Sequence, residues 1–361
     1  MAKIGHIQPY KDGWRIFVER RGKKRTEVFR GSRREAEIRA AQIAAEMGVA
    51  NPYPRMTLEE YWSAIFPTRL SNRGRPRAKT TMAYYASQME RNVLPKIGSE
   101  LLGELTHEQL AEVIRSSSSP VNTKRTLMAV MRSAYDDGLV PQRPLERRVA
   151  VQKKHKAPYF PWTAREAYMG LEALMGYDDA LALYAIGGLS GLGMEEALGL
   201  RWADVVASPP HFSVLWTYTD VGGHTPWPKN DYRQRKVPVL VMGRGFLLSR
   251  KASADPMERV VPMRGDTLYK KWKKALAELG LRYTPPSMLR HASDTIMLGA
   301  DVGGELNDKL HGRSNPSVTY ASYFRPSLEE LEEAAQKMAS AMSEHTLAQS
   351  DVDNLSQGLF W

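Results

Sequence analysis

Cysteine is absent from this 361-residue chain, which excludes disulfides, thiolate nucleophiles and cysteine-ligated zinc. Histidine is scarce, at eight residues, and none stands at His-Glu-x-x-His or another metal-ligand spacing, so neither metal nor cofactor is expected. No apolar run approaches the ~18 residues a membrane helix needs, and no signal peptide opens the chain. These absences predict a cytoplasmic protein without membrane contact. Acids are in deficit: 40 Asp and Glu stand against 51 Lys and Arg, a net charge of +11. With a pI near 9.6, that balance points to a polyanionic partner, because clustered cations release condensed counterions from nucleic acid.

What is present is globular. Apolar residues make up 42% and charged residues 25%, ordinary for a folded chain long enough for two or three domains. The charge is unevenly spread. Residues 1–49 carry twelve Lys and Arg against six acids, a net of +6, whereas the tail from Ser327 carries one Lys against seven acids, a net of −6. The first segment is expected to bind nucleic acid, and the tail to contact protein or solvent.

In the first segment Trp14, Ile16 and Val18 alternate with Arg15, Phe17 and Glu19, a strand period. Arg21-Gly22-Lys23-Lys24-Arg25 reads as a turn with exposed cations, Thr26 to Phe29 as the return strand, and Ser32 as the cap of a helix that runs to Met47 and stops at Gly48. A basic sheet backed by one helix is a sensible groove reader.

Two prolines between Asn51 and Arg55 mark a linker, after which residues 56–150 read as mainly helical. Thr57 caps a helix through Tyr61 and Trp62. The stretch from Arg69 to Lys79, with Arg73, Arg75 and Arg77, reads as an exposed basic loop, and Thr80 begins the next helix. Thr106 and Gln109 have capping-box spacing. A helix from Val121 to Asp137 presents Lys124, Arg125 and Arg132, which either grip phosphates or form a solvated face. A basic connector, Arg147 to Lys156, leads to a larger domain from about Ala157.

Four boxes follow there in order. Ser190-Gly191-Leu192-Gly193-Met194-Glu195-Glu196-Ala197-Leu198-Gly199-Leu200-Arg201-Trp202-Ala203-Asp204 is the first. Pro228-Lys229 with Arg235-Lys236-Val237-Pro238-Val239 is the second, Ser287-Met288-Leu289-Arg290-His291 the third, and Leu310-His311-Gly312-Arg313 through Thr319 to Tyr323 the fourth. In this order they resemble the signature boxes of phage integrases and other tyrosine recombinases. The likeness extends to 1–50 as an arm-type DNA-binding domain and to 56–150 as a helical, SAM-like core-binding domain. It makes 157–326 a catalytic-type domain and 327–361 a helical tail. The implied fold is mainly α with small β-sheets: an arm-binding β-sheet plus helix, a helical domain and a mixed α/β domain.

The resemblance implies a chemistry. A tyrosine attacks a DNA phosphodiester and forms a 3′-phosphotyrosyl bond, two arginines and a histidine or tryptophan neutralise the phosphorane, and a lysine protonates the leaving oxygen. By register Tyr323 is the nucleophile, Arg290 the second arginine, Lys229 the hairpin lysine and Glu196 a supporting acid. Three positions depart. Gly193 stands in place of the first arginine, Ser287 in place of one histidine, and Arg313 in place of another, with His311 two residues away. Two functions follow as expectations. One is a sequence-specific binder of double-stranded DNA, oligomeric on repeated or inverted sites, acting as a repressor-like regulator or a recombination accessory. The other is a working recombinase in which Arg313, His311 or a partner subunit fills the gaps. The acidic tail helix, with Leu328, Leu331, Ala334, Ala335, Met338 and Met342 on one face and Leu359-Phe360-Trp361 at its end, packs either on its own domain or on a neighbouring subunit.

Overall fold

The computed structural model describes residues 3–20, 22–48, 56–71, 74–140, 145, 149–151, 160–226, 234–313 and 326–357, the last thirteen by backbone alone. The chain divides into two compact units, Met1–Lys156 and Ala157–Trp361. Its described buried side chains form three clusters, two in the first unit and one in the second.

The first cluster lies under an antiparallel sheet, β1 (Lys3–Tyr10), β2 (Gly13–Arg20) and β3 (Lys23–Phe29), crossed by α1 (Arg33–Glu46). Ile16 and Val18 turn inward on β2 and meet Ala36, Ala40, Ile43 and Ala44, whose small side chains let the helix approach the sheet. Ser32 and Glu35 cap α1 reciprocally, and Gly48 ends it at φ +71°. The cation run is not the turn that the sequence suggested. Gly22, at φ +78°, lets the chain reverse early, so Lys23, Lys24 and Arg25 pair with Arg20, Glu19 and Val18 inside the sheet.

The second cluster is helical. Thr57 and Glu60 form a capping box, and the helical path runs from Leu58–Glu60 through Tyr61–Ile65 to Phe66–Thr68. It packs with α2 (Lys79–Gln88), α3 (His107–Arg115) and α4 (Pro120–Asp136) around Tyr61, Phe66, Leu110, Leu127 and Met131. Pro120 begins α4, where its missing amide is no loss.

The second unit is built around α5 (Ala164–Met175), α6 (Asp179–Leu189) and α7 (Met194–Gly199). Next come β4 (Val205–Ala207), β5 (Pro210–Val214), β6 (Trp216–Thr219), β7 (Gly223–Pro226) and β8 (Arg235–Pro238). The helices α8 (Arg244–Lys251), α9 (Gly265–Glu278), α10 (Leu289–Gly299), α11 (Gly304–Leu310) and α12 (Leu328–Gln357) complete it. One antiparallel sheet has the order β4-β5-β8, and β6-β7 is a separate ribbon. The architecture is therefore mainly helical with small antiparallel sheets. No described helix is long and apolar enough to cross a membrane.

Two packing features position the boxes. Trp162, Trp272 and Tyr184 cluster beneath residues 284–289, where the Trp272 indole donates to Thr284 O at 2.8 Å and the Tyr184 hydroxyl donates to Pro286 O at 3.0 Å. The tail helix α12 lies against its own unit, burying Leu331, Ala334, Ala335, Met338 and Met342, and Glu332 pairs with Arg244 at 2.6 Å. Of the two packings open to the tail, this part adopts the one on its own domain. Residues Leu359 to Trp361 lie outside the described residues.

Candidate active site and nucleic-acid surfaces

The first box folds as a turn between α6 and α7. Gly191 sits at φ +103°, a conformation few side chains tolerate, and Gly193 precedes the first turn of α7. Three residues on, Glu196 turns back, and its Oε2 accepts the Gly193 amide at 2.8 Å. That oxygen also accepts Arg235 Nη2 at 3.1 Å and Arg290 Nη1 at 3.2 Å. The Glu196 side chain is fully buried, and those of Arg235 and Arg290 are 8% and 14% exposed. Burial pushes the Glu196 carboxyl up, but the Arg235 and Arg290 guanidiniums and the Gly193 amide outweigh it and hold it below the ordinary carboxylate value.

The two arginines reach further. Arg235 Nε donates to Leu310 O at 2.6 Å, and its Nη2 also donates to Gly191 O at 3.2 Å. Arg290 Nη2 donates to His311 O. Three separate elements thus donate to one carboxylate, the first-box turn, β8 and the start of α10, and the end of α11 accepts from both arginines. Arg235 was quoted in the sequence only as part of the lysine hairpin, and its place in this cluster was missed.

The three positions expected from the sequence to depart from the family pattern fall as follows. Ser287 is exposed and accepts a hydrogen bond from the Tyr269 hydroxyl at 3.3 Å. Arg313 forks Asp294 at 2.9 and 2.7 Å and reaches Asp308 at 3.5 Å, so its charge is held between α10 and α11. Burial raises the Asp294 carboxyl, but Arg313 more than offsets this and the group is held low. His311 is fully buried. Its Nδ1 lies 2.8 Å from Asn307 O, and a carbonyl only accepts, so Nδ1 carries the proton. Nε2 is then a buried lone pair with no hydrogen-bond partner among the described residues. Burial pushes the ring down to about 4, leaving it neutral at neutral pH. His311 therefore supplies no cation to the site. Tyr323 and Lys229 lie outside the described residues.

A pH dependence follows. Because the folded value of His311 lies below the ordinary 6.5, the unfolded chain binds the proton first as pH falls. Stability should drop progressively from about pH 6.5 to about pH 4, by roughly 3 kcal/mol from this group. Urea unfolding of the wild type and of His311→Leu across that range checks it. The variant should show a shallower decline, and parallel curves would remove His311 as the cause.

Arg201, near the end of the first box, is not at the cluster. It stacks over Trp216 at 4.1 Å and donates to His224 Nδ1 at 2.8 Å. His224 Nε2 in turn donates to Gly199 O at 2.6 Å. This contact fastens the β6-β7 ribbon, which precedes Lys229, to the end of α7. His291 is exposed on α10.

The candidate DNA contacts divide into free and engaged cations. On the first sheet Arg15 lies over the Tyr10 ring at 3.4 Å, Lys23 is exposed, and Lys24 pairs loosely with Glu19 at 3.7 Å. Arg25 points to the helix face, where it pairs with Glu46 and with Glu27 at 3.8 Å. Arg21 and Arg73 lie outside the described residues. The loop read as uniformly exposed is partly tied down. Arg69 binds Asp137 at 2.8 Å, and Arg77 lies over Phe66 at 4.2 Å and donates to Arg69 O at 2.6 Å. Arg75 and Lys79 are exposed, and Thr80 is half-buried in the first turn of α2. On α4, Lys124 donates to Val149 O at 2.8 Å, while Arg125 and Arg132 are exposed. They alternate with exposed Val121, Met128 and Tyr135 at helical spacing, one stripe of cations and apolar side chains.

No protein-family model matches the chain, and no curated protein does. Solved structures do match. The integrase of transposon Tn1549, in complex with a circular-intermediate DNA, aligns with a TM-score of 0.57 at 17% identity, over 79% of this chain and 100% of that one. The fold is that of the tyrosine recombinases. A lambda integrase tetramer bound to a Holliday junction aligns with a TM-score of 0.50 at 18% identity, covering 87% of this chain and 93% of that one. A lambda integrase dimer bound to a core site gives 0.50 at 14% identity, covering 89% and 97%. The Glu196–Arg290 cluster joins residues of all four boxes read from the sequence. Among the described residues no group of three or more His, Asp or Glu is arranged to hold a metal ion.

Proposed function

We propose that this chain binds double-stranded DNA as an integrase-type protein whose strand-cleaving site is impaired, and that it acts as a repressor-like regulator or as a recombination accessory. The observation that carries the reading is the engagement of Arg313. The one cation kept among the three departed positions is forked by Asp294 and approached by Asp308. Gly193 has no side chain, Ser287 cannot move a proton near neutral pH, and His311 is a buried neutral ring. Phosphorane charge and proton transfer both lack their usual groups at these positions. Binding is less demanding. The fold, the net charge of +11 and the Arg125–Arg132 stripe support it.

In this reading 1–50 contacts arm-type sites, 56–150 grips core DNA, 157–326 is the catalytic-type domain and 327–361 a C-terminal helical tail. The chain works as a homo-oligomer on repeated or inverted sites. The integrase structures with this fold hold DNA, and those of lambda integrase are a dimer and a tetramer. A second reading, an active recombinase with an atypical site, is favoured by one observation: Arg235 stands beside Arg290, so two guanidiniums still meet on Glu196.

A suicide half-site duplex separates the two. Tight, salt-sensitive binding without a covalent adduct is expected, and it would rule out the recombinase. An adduct that forms with the wild type and disappears in Tyr323→Phe would overturn the impaired-site reading.

A further inference from the structure

We propose that Arg235 is a positioning residue that aims the Arg290 guanidinium at a DNA phosphate. This rests on the DNA-binding reading above. The geometry behind it is a shared oxygen. Arg235 Nη2 and Arg290 Nη1 both donate to Glu196 Oε2, at 3.1 and 3.2 Å, and the Gly193 amide completes the set at 2.8 Å. Gly193 contributes only that amide, and among the described residues the two arginines are the side chains seen to donate to the carboxylate. Arg235 is the better anchored of them. Its Nε is fixed to Leu310 O at 2.6 Å and its Nη2 to Gly191 O at 3.2 Å, and it is the less exposed. Arg235 thus holds the carboxylate against the first-box turn and the end of α11. Arg290, gripping that carboxylate and His311 O, inherits the position.

Lysine would not serve in the same way. The planar guanidinium sends donors to two carbonyls and a carboxylate in fixed directions, whereas an ammonium offers one centre on a flexible stem. Arg235 therefore acts through Glu196 on Arg290, and it is Arg290 that meets the phosphate.

The test is a double-mutant cycle read in DNA binding. Full-length wild type, Arg235→Gln, Arg290→Gln and the double variant are titrated across a salt gradient against a duplex selected by the wild type from a randomised pool. Arg290→Gln should weaken binding about tenfold and lower the salt slope by about one phosphate. Arg235→Gln should do the same, and the double variant should be no worse than either single one. Arg235→Lys, which keeps the charge and protects the fold, should still show the reduced slope. A wild-type slope in Arg235→Gln or Arg235→Lys overturns the proposal and leaves Arg235 a structural brace, as do additive losses in the double variant. If the wild type itself shows no salt-dependent affinity for any duplex in the pool, the DNA-binding reading falls and takes this proposal with it.

Discussion

Covalent capture of a suicide half-site should rise by about 10²-fold or more in the triple variant Gly193→Arg, Ser287→His, Arg313→His relative to the wild type. The expectation follows from where charge develops. A phosphorane carries negative charge that only oriented donors can offset, and losing one such donor typically costs about 10²–10³ in rate. Gly193 has no donor beyond its backbone amide, which is directed at Glu196. Arg313 has donors, but Asp294 takes two of them. Single restorations should gain little, since groups of one site act as a unit and the remaining gaps still limit the step. Because Arg313→His leaves Asp294 without its partner, the comparison should include Asp294→Asn in the triple background. Affinity for the duplex should change far less, since the proposed DNA-binding cations are spread along the chain. Equal adduct rates in wild type and triple variant, with both bound, would show that these three positions are not what limits cleavage.

Much of this was readable in the residues. The order of the four boxes and the apolar face of the tail helix follow from spacing, and the resemblance marks Glu196 as a supporting acid. The interior role of Arg235 was also legible in principle. It shares a strand face with Val237, which is fully buried, so it must point inward, and a buried cation requires a buried acid. The same parity places Arg25 on the face of Glu27 and Phe29, toward α1 and away from a groove. Other features could not be read. Arg69 finds Asp137 far along the chain, and no local pattern announces that pairing. His311 stands at the C-terminal end of a short helix, where the sequence does not fix which way a ring turns. It turns inward, and burial keeps the ring neutral. The tail showed which face was apolar without showing what that face would cover.

Glu196 is the residue on which the second unit should be most sensitive to a single charge deletion. Its carboxylate is fully buried between two arginines. Removing one partner of a buried pair leaves uncompensated charge and typically costs about 3–5 kcal/mol. Glu196→Ala strands two guanidiniums and the Gly193 amide at once, so a loss toward the upper end of that range is expected in urea unfolding. Glu196→Gln keeps the shape and one acceptor oxygen and should lose less. The sign with pH is opposite to that of His311 in origin but alike in direction. The Glu196 carboxyl is held below its ordinary value of 4.5, so its contribution is present above that pH and is lost as pH falls through the lower folded value. The two effects therefore occupy adjoining windows, His311 from about 6.5 down to about 4 and Glu196 below about 4.5. The double variant Glu196→Leu, Arg235→Met removes charge of both signs and should be less destabilised than Glu196→Ala alone. If Glu196→Ala shifts stability by no more than about 0.5 kcal/mol, as an ordinary surface substitution does, then this carboxylate does not hold the two arginines, and the cluster would have to be stabilised by other contacts.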